Sequence, residues 1–340
     1  MVSTRATTEL RVRAFGVLTP TGCGPRLTVS IDTVQLHRTP DGRVTRSRRL
    51  GPMDHDDESS RLCGLVLREA GGLGDEVRNV VAEVHEREYR RPTATVVARV
   101  DTIAGPVLVG AAGGPDVALP RPALPVRLSA EPAGWRGLPV VLQPAVAAVI
   151  VAAAATALTT PTGRETARRR AGNRLLPDLT LVDKPASWGV DDRGHDANSL
   201  TLLDKGVLRP PGEMIAGIPR GRAMWHHDMR AFVTEPVRRL EVQTVELPPR
   251  DAIELVWCIE DSRPRMEDGE LRLRCLARDP EGKWFSTVLR GKPLLLLRHV
   301  RGGHGPARCV FGDSEVTTPA LVFGPTADLE ESGRGSLAVL

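Results

Sequence analysis

The chain has 340 residues, 41% hydrophobic and 26% charged, which is enough apolar mass for one large or two medium cores and excludes a disordered chain or a disulfide miniprotein. Net charge is +4, acidic residues lie among the basic ones, and 3% of residues are aromatic. A nucleic-acid groove needs a concentrated basic face, often with aromatic platforms, so no nucleic-acid partner is expected. Lys184, Lys205, Lys283 and Lys292 are the only lysines, so Arg carries nearly all positive charge. Five scattered cysteines, Cys23, Cys63, Cys258, Cys275 and Cys309, form no CxxC pair, and the opening residues lack the apolar centre of a secretory signal. Reduced thiols and a cytoplasmic location follow as expectations.

In chain order, Leu10–Val17 and Arg26–Leu36 alternate polar and apolar residues as strands do, and Thr39-Pro40-Asp41-Gly42 turns the second into Arg43–Arg46. After the acidic loop Asp54–Glu58, Ser59-Ser60 can cap a helix to about Glu69, and the spacing of Val77, Val80, Val81 and Val84 predicts a helix over Asp75–Glu88. Thr93–Val100 and Val107–Gly110 read as strands joined at Gly105-Pro106. Six prolines between Pro115 and Pro139 mark an irregular connection around a short strand at Val126–Leu128. Pro144 then opens an Ala-rich helix, since its missing N–H costs nothing in a first turn, and Thr159-Thr160-Pro161 ends it. Its apolar run, Ala145–Leu158, has 14 residues, against ~20 for a membrane span, so it predicts a buried helix and no membrane partner. Arg164–Arg174 is basic and Gly-broken, the pattern of an exposed loop or frayed helix.

Beyond Leu175 strand signals dominate: Leu179–Val182, Ser199–Leu203, Glu241–Leu247, Ile253–Ile259, Glu270–Leu276, Trp284–Leu289 and Leu294–Val300 are short β-type runs between Gly, Pro or Asp turns. The chain therefore reads as α+β: a small N-terminal α/β domain with its Pro-rich connection over 1–137, then an Ala-rich central helix and a large antiparallel C-terminal β-sheet domain over 138–340.

Chemistry-bearing motifs are sparse. The runs at Gly71–Gly74 and Gly110–Gly114 lack phosphate-loop spacing and read as turns. No GxSxG elbow accompanies Gly302-Gly303-His304-Gly305, and no HExxH occurs. His226-His227-Asp228 is the densest ligand cluster, but adjacent strand residues point to opposite faces. His299 and His304 flank a Gly-rich turn near Cys309 without a carboxylate partner. Asp191-Asp192-Arg193-Gly194 has the composition of a turn whose Asp side chains bond their own backbone. A stand-alone hydrolase would have to use His226, His227 and Asp228, or His304 and Cys309. A peptide-binding scaffold without proteolysis is the other alternative.

The segment Leu175–Leu208 resembles the TldD/PmbA family of metallopeptidases and modulators. Asp183-Lys184-Pro185, Asp191-Asp192-Arg193-Gly194 and Leu203-Asp204-Lys205-Gly206-Val207-Leu208 stand in the order and spacing of that family's conserved-type run DDP, DDEG and LIenGvL. Pro236-Val237-Arg238-Arg239, Glu267–Val288 and Gly305–Val322 extend the resemblance, which spans Leu138 to Val322. The resemblance implies a central helix that, in catalytic members, carries HExxxH and is completed by a late Cys. Laid on that pattern, Ala152 and Ala153 stand at the His-Glu pair and Ala157 at the second His, with Cys309 at the Cys position. It thus implies a metal-free TldE (PmbA)-like subunit with no catalytic residue and no metal of its own. Its expected partners are a TldD-like metallosubunit carrying zinc and a linear or unfolded peptide, with leader-peptide trimming of modified natural-product peptides as one use. Arg222, His226, His227 and Arg239 are the expected substrate contacts, because the family's Arg-containing segment aligns near them and charged donors hold carboxylates.

Overall fold

The computed structural model describes residues 7–19, 26–38, 44–50, 68, 77–87, 90–113, 123–130, 132, 134–176, 178–184, 191, 195–196, 198–210, 212–226, 229, 231–234, 239–249, 251–259, 265–267, 269–311, 315–331 and 335–339. The chain divides into two units. One comprises Met1–Thr102, Pro106–Leu124 and Val190–His195, the other Ile103–Gly105, Pro125–Gly189 and Asp196–Leu340.

The first unit holds a six-stranded antiparallel sheet of β1 (Thr7–Thr19), β2 (Arg26–Arg38), β3 (Val44–Leu50), β4 (Val77–Arg87), β5 (Arg90–Val100) and β6 (Val107–Gly113), in the order β3-β2-β1-β4-β5-β6. Ala98 and Val100 face Val109 and Val107 across the β5–β6 ladder, and all four are fully buried. The helix expected over Asp75–Glu88 is corrected to strand β4. Its valines satisfy helical spacing, but β-branched side chains are stiff at χ1 and suit a pleated surface. Pairing settles the conflict, because β4 forms ladders with both β1 and β5 and sets Val81 opposite Phe15 and Val97. The helix expected from Ser59 to Glu69 lies outside the described residues apart from Arg68.

The second unit is built on a twelve-stranded, mostly antiparallel sheet. Its strands and helices run β7 (Pro139–Leu142), α1 (Pro144–Thr159), α2 (Pro161–Arg169), β8 (Leu179–Lys184), β9 (Leu200–Asp204) and β10 (Val207–Leu208). Two small ribbons follow, β11 (Met214–Ile215) with β12 (Ile218–Pro219) and β13 (Ala223–His226) with β14 (Ala231–Thr234). Then come β15 (Arg239–Thr244), β16 (Ile253–Cys258), β17 (Arg265–Glu267), β18 (Glu270–Arg278), β19 (Trp284–Gly291), α3 (Pro293–Leu297), β20 (Val300–Phe311), β21 (Glu315–Pro325), α4 (Thr326–Glu331) and β22 (Gly335–Val339). The sheet order is β10-β9-β8-β15-β21-β7-β16-β18-β19-β22, with β17 on β18 and β20 on β21. Two pairs, β15–β21 and β7–β16, are parallel. Lys205 and Gly206 join β9 to β10 with φ of 46° and 79°, the positive pair that a tight hairpin turn of type I′ requires.

Helix α1 packs against this sheet and against α3. Pro144 starts it, Ala supplies strong helix propensity, and Val146, Ile150, Val151, Ala154, Ala155 and Leu158 are buried. Full burial of side chains such as Ile150 and Leu158 stabilises by about 1.5–3 kcal/mol each. Among the described residues no single helix is long and apolar enough to cross a membrane; α1 and α2 form a pair bent by 80°.

Three further expectations are corrected here. Leu294–Val300 is not a strand: a run of four leucines carries no period, and Pro293 opens helix α3, whose Leu296 and Leu297 are fully buried. Val126–Leu128 lies outside the sheets, with Val126 93% exposed. Gly302, Gly303 and His304 belong to strand β20 and form no turn. Gly303 exchanges backbone hydrogen bonds with Val245 and Leu247, at 2.8 and 2.7 Å. Its own Cβ would stand 2.7 Å from the Thr244 side chain and 2.9 Å from the Pro319 ring, so glycine here leaves room for those two side chains.

Candidate functional site

Three stretches of the second unit line one cleft: the corner between α1 and α2, the end of β8, and the chain from β9 to β14. At the corner Thr160 ends one helix and caps the next. Its hydroxyl donates to Ala157 O at 3.0 Å and accepts from Gly163 N–H at 3.1 Å, while Pro161 fills the first position of α2. The turn is so tight that a Cβ on Gly163 would lie 1.9 Å from Ala157 O.

This corner delivers Arg164, whose basic segment reads in sequence as an exposed loop or frayed helix. The structure corrects that expectation: Arg164 is 9% exposed. Its Nη1 donates to Thr159 O at 2.7 Å and Thr234 Oγ1 at 3.1 Å, and its Nη2 to Gly217 O at 3.4 Å. Burial, and secondarily the charge of Arg168, lower its pKa from the usual arginine value, although a guanidinium stays charged across the accessible pH range.

Strand β8 brings Asp183, and a tight turn after β12 brings Arg222. Arg222 donates from Nη2 to Asp183 O at 2.6 Å and from Nη1 to Lys184 O at 3.3 Å. Nη1 also stands 3.3 Å from Asp183 Oδ2, and both residues are 3% exposed. Nε of Arg222 is buried and makes no hydrogen bond. Two charges taken out of water are tolerated because each faces the other; removing one leaves the survivor uncompensated. Apolar Leu158, Ala167, Leu200, Leu202, Leu208 and Pro219 complete a narrow space of about 20 Å³, with Arg209, paired to Asp204, at its margin. A wider cleft of about 250 Å³ shares Leu200, Pro219 and Arg222 with it and adds Asn198, Ser199, Glu213 and Arg220.

Of the expected substrate contacts, Arg222 and Arg239 each neighbour Lys184. Arg239 begins β15 directly opposite Lys184, the residue whose carbonyl accepts from Arg222, and its Nη2 donates to Glu315 Oε1 at 3.0 Å. His226 ends β13 opposite Ala231; His227 and Asp228 lie outside the described residues. His299 is buried against Phe323, ring centroids 6.3 Å apart, beside a small apolar cleft. His304 is exposed on β20 opposite Ala320, and Cys309 stands on the same strand opposite Thr317. Asp191 Oδ1 accepts from His195 N–H at 2.9 Å, a side chain bonding its own local backbone, and residues 192–194 lie outside the described residues.

Ala152 and Ala153 pack half-buried against the core, and Ala157 is half-buried at the corner. Methyl groups offer no donor atom to a metal, so these residues do not fit zinc. Among the described residues no group of three or more His, Cys, Asp or Glu is placed to hold a metal ion. Sequence reasoning missed Arg164 and the Asp183–Arg222 pair. The partners of that pair stand 39 positions apart in the chain, and no local pattern links them.

No protein-family model matches the chain, and no curated protein matches it in sequence. Among solved structures it is similar to TldE from Thermococcus kodakarensis, with a TM-score of 0.54 and 9% identity over 94% of this chain and 95% of that one. The two chains share a fold.

Proposed function

We propose that this chain is the noncatalytic subunit of a heteromeric TldD/TldE-like zinc peptidase that acts on linear or unfolded peptides, leader-peptide trimming being one such use. The observation that carries the reading is the fold shared with TldE across nearly the whole of both chains. The donor-free Ala152, Ala153 and Ala157 on α1 support it, because a helix face of methyl groups neither ligates metal nor activates water. A partner then supplies zinc and hydrolysis. The metal-free subunit helps to hold extended peptide, by adding main chain to a sheet edge and by charged contacts from Arg222, His226, His227 and Arg239.

Co-expression with a TldD-like metallosubunit tests this. The expected product is a heteromer, burying at least ~1,200 Å², whose peptidase activity disappears when the partner's HExxxH glutamate is replaced. The isolated chain is expected to retain well under one zinc per chain after dialysis. Proteolysis by this chain alone, insensitive to chelation and abolished by changing one of its own residues, overturns the proposal.

A further inference from the structure

The narrow cleft carries more positive charge than its walls neutralise. Three guanidinium groups line it, those of Arg164, Arg209 and Arg222. Two have carboxylate partners, Asp204 for Arg209 and Asp183 for Arg222. Arg164 is different: it is buried, and its three acceptors are two carbonyls and a hydroxyl. A buried charge balanced only by neutral dipoles retains a large unmet electrostatic demand. On the same lining, the buried Nε of Arg222 is a second donor with no acceptor.

The surrounding surface sets the shape of what can answer that demand. The narrow cleft, about 20 Å³, is apolar apart from its charged groups, Thr159 and Thr234, and has room for a head group of two or three heavy atoms. The wider cleft beyond Arg222, about 250 Å³, is slightly smaller than the roughly 300–1,000 Å³ of a drug-sized ligand site and is lined by Asn198, Ser199, Glu213 and Arg220 beside Leu200 and Pro219. A planar two-oxygen anion suits guanidinium donors better than a spherical one, because N–H groups of the fork meet its lone pairs in pairs.

We propose that this cleft is a carboxylate-binding site, in which Arg164 and Arg222 hold the carboxylate and the adjoining, partly polar cleft takes the body that carries it. A peptide ending in an aliphatic residue has this chemistry, as does a free aliphatic acid. The site itself stands on the cleft; only the choice of a peptide end as the source rests on the peptidase-subunit reading.

Calorimetric titration of the full chain at low ionic strength decides the matter. N-acetyl-leucine is expected to bind saturably, whereas N-acetyl-leucinamide, of the same shape without the charge, is expected to bind at least tenfold more weakly. Arg164→Gln is expected to lose at least tenfold in affinity for the acid. Because Arg164 also ties Thr159 to Gly217, Arg209→Gln serves as a second variant. It removes half-exposed positive charge from the margin and is expected to lose about threefold. Tighter binding of N-acetyl-leucyl-leucine than of hexanoate assigns the site to a peptide end. The reverse assigns it to a free acid, sustaining the site while withdrawing its use for peptides, and leaves the co-expression result untouched. Equal binding of acid and amide, or undiminished binding of the acid by both variants, overturns the proposal.

Discussion

Replacing Gly163 by alanine should destabilise the second unit, against the usual sign of that exchange. In an ordinary helix, Gly→Ala gains about 1 kcal/mol. Here the new methyl would stand 1.9 Å from Ala157 O, 2.9 Å from Ala157 C and 3.0 Å from Leu158 C. All three are backbone atoms, so relief requires moving one helix end by more than ~1 Å. Overpacking of this kind costs typically 1–3 kcal/mol. The movement also breaks the two hydrogen bonds of the Thr160 hydroxyl, to Ala157 O and from Gly163 N–H. The cap contributes about 1 kcal/mol and the other bond a similar amount. The net expectation is a loss of about 2–4 kcal/mol after the propensity gain. For a unit of about 200 residues that lowers the melting temperature by roughly 5–12 °C. All five tryptophans, Trp135, Trp188, Trp225, Trp257 and Trp284, belong to the second unit, so intrinsic fluorescence follows its unfolding alone. A Gly163→Ala variant that melts at or above the parent temperature would refute the close approach of the two helices.

Asp183→Ala should cost about 3–5 kcal/mol by stranding the buried Arg222 charge, and combining it with Arg222→Leu should restore much of the loss; tryptophan-monitored denaturation compares the three chains. Val126→Asp should shift stability by less than about 0.5 kcal/mol, since an exposed site away from the sheets has little to lose. Cys258 and Cys275 face each other between β16 and β18, and Ile259 N–H donates to Arg274 O at 2.9 Å, which makes the cysteines a non-hydrogen-bonded pair. Such pairs approach to ~4.5 Å between Cα atoms, within disulfide range. Diamide should therefore join them at alkaline pH, where the thiols ionise, and far more slowly at neutral pH, as seen by peptide mass mapping. The hydrogen bond to Cys258 and complete burial push the Cys275 thiol well above its usual pKa. The folded state thus keeps a proton that the unfolded chain releases, so this contribution is intact below about pH 8.5 and declines above it by at most about 1.4 kcal/mol per pH unit. Cys275→Ala should flatten that alkaline slope in denaturant titrations across pH 7 to 10.

Strand runs such as Leu179–Val182 and Glu270–Leu276 were legible because alternating burial imprints a period of two on the sequence. The helix α1 was legible because Pro144 and Thr160-Pro161 punctuate it. Elements that failed to show share one cause: their local pattern was outvoted by distant partners. Val77–Arg87 became a strand because two neighbours offered ladders, and the Leu294–Leu297 run became a helix because an apolar run without alternation serves either state. The site divides similarly. Arg222 could be singled out from its segment, whereas Arg164 looked like solvent-facing basic residue because its neighbours Arg168, Arg169 and Arg170 are basic and exposed. Only the tight corner at Gly163 turns it inward, and that corner is written in the spacing of Thr160, Pro161 and Gly163.

The sheet order of the second unit has a consequence for biosynthesis. Strand β7, residues 139–142, is flanked by β21 and β16, so its two hydrogen-bonding partners are made only when the ribosome reaches residues 253–255 and 321–325. At about 5–20 residues per second, the apolar Val140-Val141-Leu142 edge waits roughly 10–40 s for its last neighbour. The six strands of the first unit, by contrast, are all present once residue 113 has been made. A nascent chain therefore carries a finished N-terminal sheet ahead of an unfinished one whose centre stays open until β21 emerges, with only the edge strand β22 still to follow, and the interval between them is when a chaperone has the most exposed strand to hold.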